Sequence, residues 1–295
     1  MRSLGVSKLS TKTPEPHPYQ GRKIVLTTKH DKLDLIAPIL AAELGLEVVL
    51  HEADTDLLGT FSGEVERTLT ASQAAIAKAR IGTSNLGLSL GIASEGTIGP
   101  DRLLPFLRSD TEYIALVDLD LGIELVEEFR SLEIVAGELV TKPGLDISEF
   151  LERVDFPNHK LIASPNIGER SKSLKGLSDR KDLETAINLV AKESKDGKVL
   201  LQSDLRAHCS PSRQENIRQA VRILAQRLKS LCPSCKCPGW GKVGYEKGLD
   251  CSACGEYVEK AIRAEVQGCA KCSHREVKDS GESKADPSIC DGCNP

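Results

Sequence analysis

The sequence has few aromatic residues, no long apolar run and no excess of positive charge. Aromatic residues make up 3% of the 295 positions, so the core must consist mainly of Leu, Ile, Val and Ala. Because no run of about 18 apolar residues occurs, no membrane-spanning helix is expected. The first 20 residues lack the apolar block of a secretory signal. A net charge of −4 disfavours nucleic-acid binding, which normally needs a basic surface. We therefore expect a cytoplasmic protein without membrane contact.

Alternating strand and helix patterns predict one α/β domain over residues 21–230, after a disordered N-terminal tail at 1–20. KIVLTT (23–28) is an apolar run typical of a strand, and residues 31–45 place Leu, Ile and Ala at helical spacing. The short link between the predicted strands 112–120 and 132–141 indicates antiparallel pairing. We predict a mixed sheet with helices on both faces. The other predicted strands are 47–53, 86–96, 159–165 and 198–204, and the other predicted helices are 63–82, 146–153, 180–194 and 212–230.

Nine of the ten cysteines follow residue 231, where apolar runs end, and eight of them form four C-x-x-C pairs. One such turn presents two sulfurs to one side of a tetrahedral zinc ion, so two turns complete a four-cysteine site. Disulfides are the alternative, which an intracellular chain does not favour. Residues 231–295 are therefore predicted to be a double zinc-ribbon module with two structural zinc ions, and sequential pairing of the turns is favoured over crossed pairing. The predicted ligands are Cys232, Cys235, Cys251, Cys254, Cys269, Cys272, Cys290 and Cys293.

The charge of this C-terminal region argues against nucleic acid as its partner. From Cys232 onward there are nine Lys and Arg against ten Asp and Glu. Each zinc site with four thiolates adds a formal charge of −2, so a phosphate backbone would be repelled. We expect the zinc ions to staple the fold or to form a platform for a protein partner.

Polar residues concentrate where predicted strands give way to helices. The stretch DTDLLGTFSGEVER (54–67) is either a turn in which Ser62 caps the next helix or a site for a metal and a phosphate-bearing ligand. The segments 27–32, 94–101, 117–120 and 203–220 favour the second reading, because lysines at a helix N-terminus attract anions and paired carboxylates bind Mg²⁺. The candidate catalytic residues are Glu64, Glu95, Asp118, Asp120 and His208, and the candidate phosphate-binding residues are Thr28, Lys29, Lys32, Arg67, Arg206 and Arg213.

Motifs from both parts of the chain occur in a recognisable order: LTTKHDK, DTDLLGTFSGEVER, SEGTIGP, LVDLD, SDLRAHCSPSR, LCPSC, GLDCSACG, GCAKC and CDGCNP. In this order they resemble a bacterial family of unknown function that pairs an α/β domain with C-terminal cysteine knuckles. That resemblance implies no particular activity. A weaker resemblance links Thr28–Lys32, Glu95 with Asp118, and Arg206 with His208 to inosine-triphosphate pyrophosphatases and Maf-type nucleotide pyrophosphatases. In those families the equivalent places hold a phosphate turn, Mg²⁺-binding acids and a His-Arg element.

Two functions fit these patterns. The first is an Mg²⁺-dependent hydrolase of a nucleotide or other phosphoanhydride, in which carboxylates hold the metal or activate water and the basic residues neutralise phosphates. The second is a non-catalytic module that binds a small anionic ligand and whose zinc ribbons dock a protein partner. Both depend on the polar segments meeting in one place.

Overall fold

A computed structural model describes residues 16–29, 31–53 and 69–295. The predicted site residues Glu64 and Arg67 lie outside the described residues, as does most of the predicted tail. In chain order the elements are β1 (Lys23–Thr28), α1 (Leu33–Leu44), β2 (Glu47–Glu52), α2 (Ala71–Leu86), β3 (Leu90–Pro100), β4 (Arg108–Asp118), β5 (Ile123–Ser131), β6 (Glu138–Thr141), α3 (Ser148–Arg153), β7 (Leu161–Pro165), β8 (Leu174–Leu177), α4 (Arg180–Glu193), β9 (Val199–Ser203), α5 (Pro211–Lys229), β10 (Gly241–Asp250), β11 (Tyr257–Gly268) and β12 (Arg275–Asp279).

The first sheet is mixed, as predicted, and has the strand order β2-β1-β3-β4-β5. β1 pairs in parallel with β2 and β3, whereas β4 is antiparallel to both β3 and β5. The apolar run of β1 is buried from Ile24 to Thr28, as expected for a strand with neighbours on both sides and helices on both faces. The carboxyl ends of β1 and β3 therefore lie at the same edge of the sheet, which we call the carboxyl edge.

Helices cover both faces of this sheet, which confirms the predicted architecture. Leu26 and Ile92 pack into the main core together with α1 and α5. Ala93, the next residue in β3, packs against Ala79 of α2 in a separate small cluster. Successive side chains of a strand point to opposite faces, so α2 lies on the face away from α5. The small residues of α2 let it approach closely: a Cβ at Gly91 would stand 2.5 Å from the Ala79 carbonyl oxygen.

The strands that follow β5 form a second, antiparallel sheet with the order β6-β9-β7-β8. α3 and α4 bury their apolar sides against it in a core of its own. The predicted pairing of 112–120 with 132–141 does not occur, because β4 pairs with β5 and β6 belongs to the second sheet. β5 (IELVEEFRS) was not predicted from the sequence, because three of its nine residues are glutamates. Its buried residues Ile123 and Leu125 do show the alternation typical of a strand.

The C-terminal residues form a three-stranded antiparallel sheet, β10-β11-β12.

At the other end of the chain, residues 16–20 overlap the predicted tail, yet Tyr19 is fully buried and His17 Nε2 lies 2.9 Å from the Leu228 carbonyl oxygen. Within the described residues, no helix combines the length and the apolar character needed to cross a bilayer.

Candidate functional site

Charged side chains meet in the interior at the carboxyl edge of the first sheet. Lys32, which precedes α1, is 6% exposed and donates hydrogen bonds from Nζ to Ser94 Oγ (2.9 Å) and to the Ser94 carbonyl oxygen (3.3 Å). The next residue of β3, Glu95, is 6% exposed and forms a 2.5 Å ion pair with Lys78 of α2. The segments 27–32 and 94–101 are thus in direct contact through Lys32 and Ser94.

α5 reaches the same place through its first turn. Arg213 is 2% exposed, donates from Nε to Glu112 Oε1 at 2.5 Å and donates from Nη1 to the Leu205 carbonyl oxygen at 2.5 Å. One helical turn later, Asn216 Nδ2 donates to Asp110 Oδ2 at 2.9 Å. Glu112 Oε2 and Asp110 Oδ1 are buried and have no hydrogen-bond partner in the described part of the chain. Lys78 and Glu95 lie on the α2 face of the sheet, and the other residues lie on the α5 face, but all border the same edge and influence the charge of Lys32 or its neighbours. We call the following seven residues the carboxyl-edge cluster: Lys32, Lys78, Glu95, Asp110, Glu112, Arg213 and Asn216.

Two groups of the cluster titrate near neutral pH. Burial and the nearby Arg213 guanidinium lower the pKa of Lys32 to about 8, although Glu112 and Glu95 oppose this change. Burial and the neighbouring Glu112 carboxylate raise the pKa of Asp110 to about 7, against the hydrogen bond from Asn216. Buried acids and amines with such shifted pKa values are typical of functional sites. A charged ligand that binds nearby can change the protonation state of such groups.

The segment from Asp204 to His208 lies beside the cluster. Asp204 accepts hydrogen bonds from Arg206 Nε and Nη2, and its Oδ2 also accepts one from the Gly176 amide at 3.0 Å. Burial and then the Arg206 charge lower the pKa of His208, while Asp31 and Asp204 raise it in part. His208 is therefore close to the loop between β1 and α1. Arg206 therefore lies beside the carboxyl-edge cluster, and the Asp204 carboxylate largely balances its charge.

Asp118 and Asp120, two predicted catalytic residues, do not belong to the cluster. Asp118 pairs with Leu90 at the start of β3, whereas Glu112 pairs with Gly96. Six residues of strand separate the two acids, which is about 20 Å. Asp118 Oδ1 accepts from the Asp120 and Leu121 amides, and Arg22 donates to both aspartates. Since β4 runs antiparallel to β3, its carboxyl end lies at the opposite edge, and these acids close a turn there.

Thr28 and Lys29, also predicted for phosphate binding, end β1 at the carboxyl edge, where Thr28 is buried and Lys29 is exposed. Lys78, Asp110, Glu112 and Asn216 were not predicted. Asp110 and Glu112 carry a readable signal, because two acids spaced by two residues inside the apolar strand RSDTEYIALVD point to one face. Lys78 and Asn216 lie within ordinary helices, and nothing in the sequence distinguishes them.

The eight paired cysteines form two four-cysteine clusters, and in each the four sulfurs lie within 4.8 Å of one another. Tetrahedral zinc with Zn–S bonds of 2.3 Å places its sulfurs about 3.8 Å apart. The closest pairs, Cys235–Cys269 at 3.5 Å and Cys254–Cys290 at 3.6 Å, agree with this spacing. Each cluster could therefore hold one zinc ion, and the two clusters consist of the eight cysteines predicted as ligands.

The pairing of the cysteine turns is crossed, so the predicted sequential pairing is wrong. The first cluster contains Cys232, Cys235, Cys269 and Cys272, and the second contains Cys251, Cys254, Cys290 and Cys293. β10 and β11 separate consecutive turns with strands of 10 and 12 residues. A strand of that length spans more than about 30 Å, so consecutive turns lie at opposite ends of the sheet and alternate turns meet.

The two cysteine clusters differ in their surroundings. Cys232, Cys237 and Cys269 are part of the main core that contains Leu125 and Leu228. Nearby, Trp240 stacks on His274 at 5.3 Å, and its amide donates to the Ser230 carbonyl oxygen. The second cluster instead packs into a small core with Leu249, Val258, Ala261 and Ala285. The first cluster is therefore part of the core of the α/β domain. The second cluster packs only against the other end of the three-stranded sheet β10-β11-β12.

A family model described as a domain of unknown function (DUF6671) matches residues 78–295. The chain belongs to this family. The match begins at Lys78 and includes the carboxyl-edge residues of β3, β4 and α5 together with both cysteine clusters. No curated protein matches the chain. The resemblance to nucleotide pyrophosphatases therefore stays a prediction.

We predict that Gly96→Ala destabilises the protein by about 1–3 kcal/mol, the usual range for overpacking. A Cβ at Gly96 would stand 2.5 Å from Arg213 Nη2 and 2.6 Å from Glu112 Oε1. Gly99→Ala in the same strand is the matched control, because a Cβ there meets nothing within 4 Å. Urea unfolding of both variants measures the difference, and equal midpoints would show that the Arg213–Glu112 pair is not tightly confined.

Asp110→Asn is expected to make stability less sensitive to pH. The folded pKa of Asp110, about 7, lies above its ordinary value of 3.8. The stability that this group contributes is therefore complete below pH 3.8 and is lost as the pH rises through 7. Between pH 5 and pH 7 the free energy of unfolding should fall less in the variant than in the wild type, by up to roughly 2 kcal/mol.

Urea unfolding at pH 5, 6 and 7 measures this difference. Lys32 does not confound it, because its pKa of about 8 leaves it mostly protonated over this range in both states. Parallel pH profiles for the two proteins would contradict a raised pKa of Asp110. Glu124→Gln, at an exposed carboxylate paired with Arg80, is the control for loss of a negative charge.

The two zinc sites should contribute differently to stability. Cys235→Ser and Cys254→Ser each remove an exposed ligand at the second position of a C-x-x-C turn. Cys235→Ser should lower the midpoint of the main thermal transition by several degrees, because its cluster belongs to the main core. Cys254→Ser should lower the zinc content without moving that midpoint. Calorimetry with zinc analysis tests this, and equal shifts would contradict it.

Proposed function

We propose that the carboxyl edge of the first sheet is the site of an Mg²⁺-dependent hydrolase that acts on a phosphoanhydride. The observation that carries the proposal is that three cations and two glutamates from five segments border the same edge of the sheet, with Lys32, Arg213 and Glu112 on the α5 face and Lys78 and Glu95 on the α2 face. Ion pairs at an ordinary surface contribute little to stability, whereas burying this many charges is costly. Such a cost is typical of a site that is kept for its chemistry.

The cations are suited to phosphate. Lys32 at the start of α1 and Arg213 in the first turn of α5 lie where helix dipoles also favour an anion. Their partners Ser94 and Glu112 hold them in fixed positions, so little side-chain freedom is lost when a ligand binds. Lys29 and Arg206 are more exposed than Lys32 and Arg213 and would meet the outer phosphate groups.

The carboxylates are suited to a metal that arrives with the substrate. Among the described residues, the two cysteine clusters are the only groups of three or more side chains that could enclose an ion. Mg²⁺ commonly uses one or two carboxylates and takes its other ligands from water and substrate phosphates. Glu112 on the α5 face, or Glu95 on the α2 face, would provide one such carboxylate. Asp110, with a pKa of about 7, is a nearby group that can take up or release a proton.

A second candidate is a module that binds a small anion without turnover and docks a protein partner through its zinc region. The closed ion pairs Lys78–Glu95 and Arg213–Glu112 favour this reading, because both glutamates are already occupied by cations. The two candidates differ in one measurable property, which is the release of phosphate.

Zinc-loaded full-length protein should release phosphate or pyrophosphate from inorganic tripolyphosphate or a nucleoside triphosphate when MgCl₂ is present, and not when it is omitted. Glu95→Gln should lower kcat by about 100-fold or more, because loss of a metal-binding or water-activating carboxylate removes transition-state stabilisation. Glu124→Gln, which removes an equally negative side chain from an exposed pair, is the control and should retain the wild-type rate.

Two results would contradict a hydrolase at this site. One is binding of these compounds, seen as thermal stabilisation, without any release of phosphate by the wild type. The other is equal rates for the wild type and Glu95→Gln. The first result would support the non-catalytic module, and the second would place the chemistry elsewhere.

A further inference from the structure

The loop between β3 and β4 exposes an unusual amount of apolar surface. In the sequence DRLLPFL (101–107), Phe106 is 81% exposed and Leu103 is 70% exposed, with Leu104 and Leu107 close to 40%. Phe106 is the most exposed large hydrophobic side chain in the described part of the chain. A contiguous exposed apolar surface on a water-soluble domain usually marks a contact surface. We call these four residues the apolar tip.

The apolar tip is held by specific bonds. Asp101 is 1% exposed and accepts hydrogen bonds from the Leu103 and Leu104 amides at 2.9 and 2.8 Å. It also forms a two-pronged ion pair with Arg130 of β5, with both distances 2.5 Å. The Asp101 amide donates to the Leu107 carbonyl oxygen at 2.8 Å, which closes the loop. The buried Asp101 carboxylate thus fixes the loop that carries the four exposed apolar side chains. Their exposure is therefore a property of the fold.

The apolar tip and the carboxyl-edge cluster share the same two strands. Gly96 pairs with Glu112 beside the cluster, and Pro100 pairs with Arg108 at the base of the tip. Four residues of antiparallel strand separate these pairs, which is about 14 Å. This distance is comparable to the extended length of a nucleoside triphosphate from its terminal phosphate to its base. β3 runs towards the carboxyl edge, so the tip projects beyond that edge and the cluster lies behind it.

We infer that the apolar tip is the subsite for the base of a nucleotide whose phosphates bind the carboxyl-edge cluster. This inference rests on the proposed function and narrows its substrate class from any phosphoanhydride to a nucleoside di- or triphosphate. An exposed phenylalanine ring can stack on a base, and the three leucines of the same loop add exposed apolar surface beside it. Inorganic polyphosphate has no group for this surface.

The test compares a nucleoside triphosphate with inorganic tripolyphosphate on zinc-loaded full-length protein with Mg²⁺. Phe106→Ala should raise the KM for the nucleotide about 10-fold, in keeping with the loss of one stacked base. Its KM for tripolyphosphate should not change. Phe106→Trp should restore the nucleotide KM, because an aromatic face is retained. Tyr257→Ala is the control, since Tyr257 is also aromatic and 64% exposed but lies in the zinc region.

The outcomes separate this inference from the proposed function. Turnover of tripolyphosphate and nucleotide with equal KM values, or an equal effect of Phe106→Ala on both, overturns the base subsite and leaves the hydrolase in place. A wild-type protein that turns over neither compound overturns both. If Phe106→Ala instead abolishes self-association in sedimentation or binding to anionic lipid vesicles, and nucleotide KM is unchanged, the tip has another occupant and the inference is wrong.

Discussion

The buried ion pair between Arg213 and Glu112 joins the first sheet to the start of the helix that follows the second sheet. Glu112 belongs to β4 in the first sheet, and Arg213 lies in the first turn of α5, which follows β9 of the second sheet after a short link. Through Nη1, Arg213 also holds the Leu205 carbonyl oxygen and so fixes the link between β9 and α5. Removing one member of such a buried pair typically costs about 3–5 kcal/mol. The position of the second sheet relative to the cluster therefore depends on electrostatics as well as on apolar packing.

The two edges of the first sheet carry different kinds of side chains. At the amino edge, Asp118 is held by Arg22 and by the turn amides that follow it, and Tyr19 is buried close by. Burial, then the Asp118 charge, raises the pKa of the Tyr19 hydroxyl well above its usual range. The first cysteine cluster packs into the same core. Turns and the first cysteine cluster close this edge, whereas buried charged groups gather at the carboxyl edge.

Local patterns predicted most of the elements, but not how the strands divide between sheets. The run in β1 and the helical spacing of α1 depend on nearby residues alone, so both were predicted almost to their bounds. The pairing of β4 with β5, and the crossed pairing of the cysteine turns, depend on which distant segments come together. For the same reason Lys32 and Arg213 were predicted as cations, whereas their grouping with Glu112 and the exclusion of Asp118 required the strand directions.

The charge balance of the carboxyl-edge cluster explains how it could accept an anion despite its burial. With Asp110 protonated, the three cations exceed the two glutamates by one charge, and with Asp110 ionised the sum is zero. An arriving phosphate is repelled by an ionised Asp110, so its binding raises the pKa of that carboxyl further and favours uptake of a proton. Near pH 7, where Asp110 is about half protonated, the site can therefore adjust its own charge to the ligand. A cluster of fully ionised pairs, without such a group, would have to break one of its ion pairs to accept the same anion.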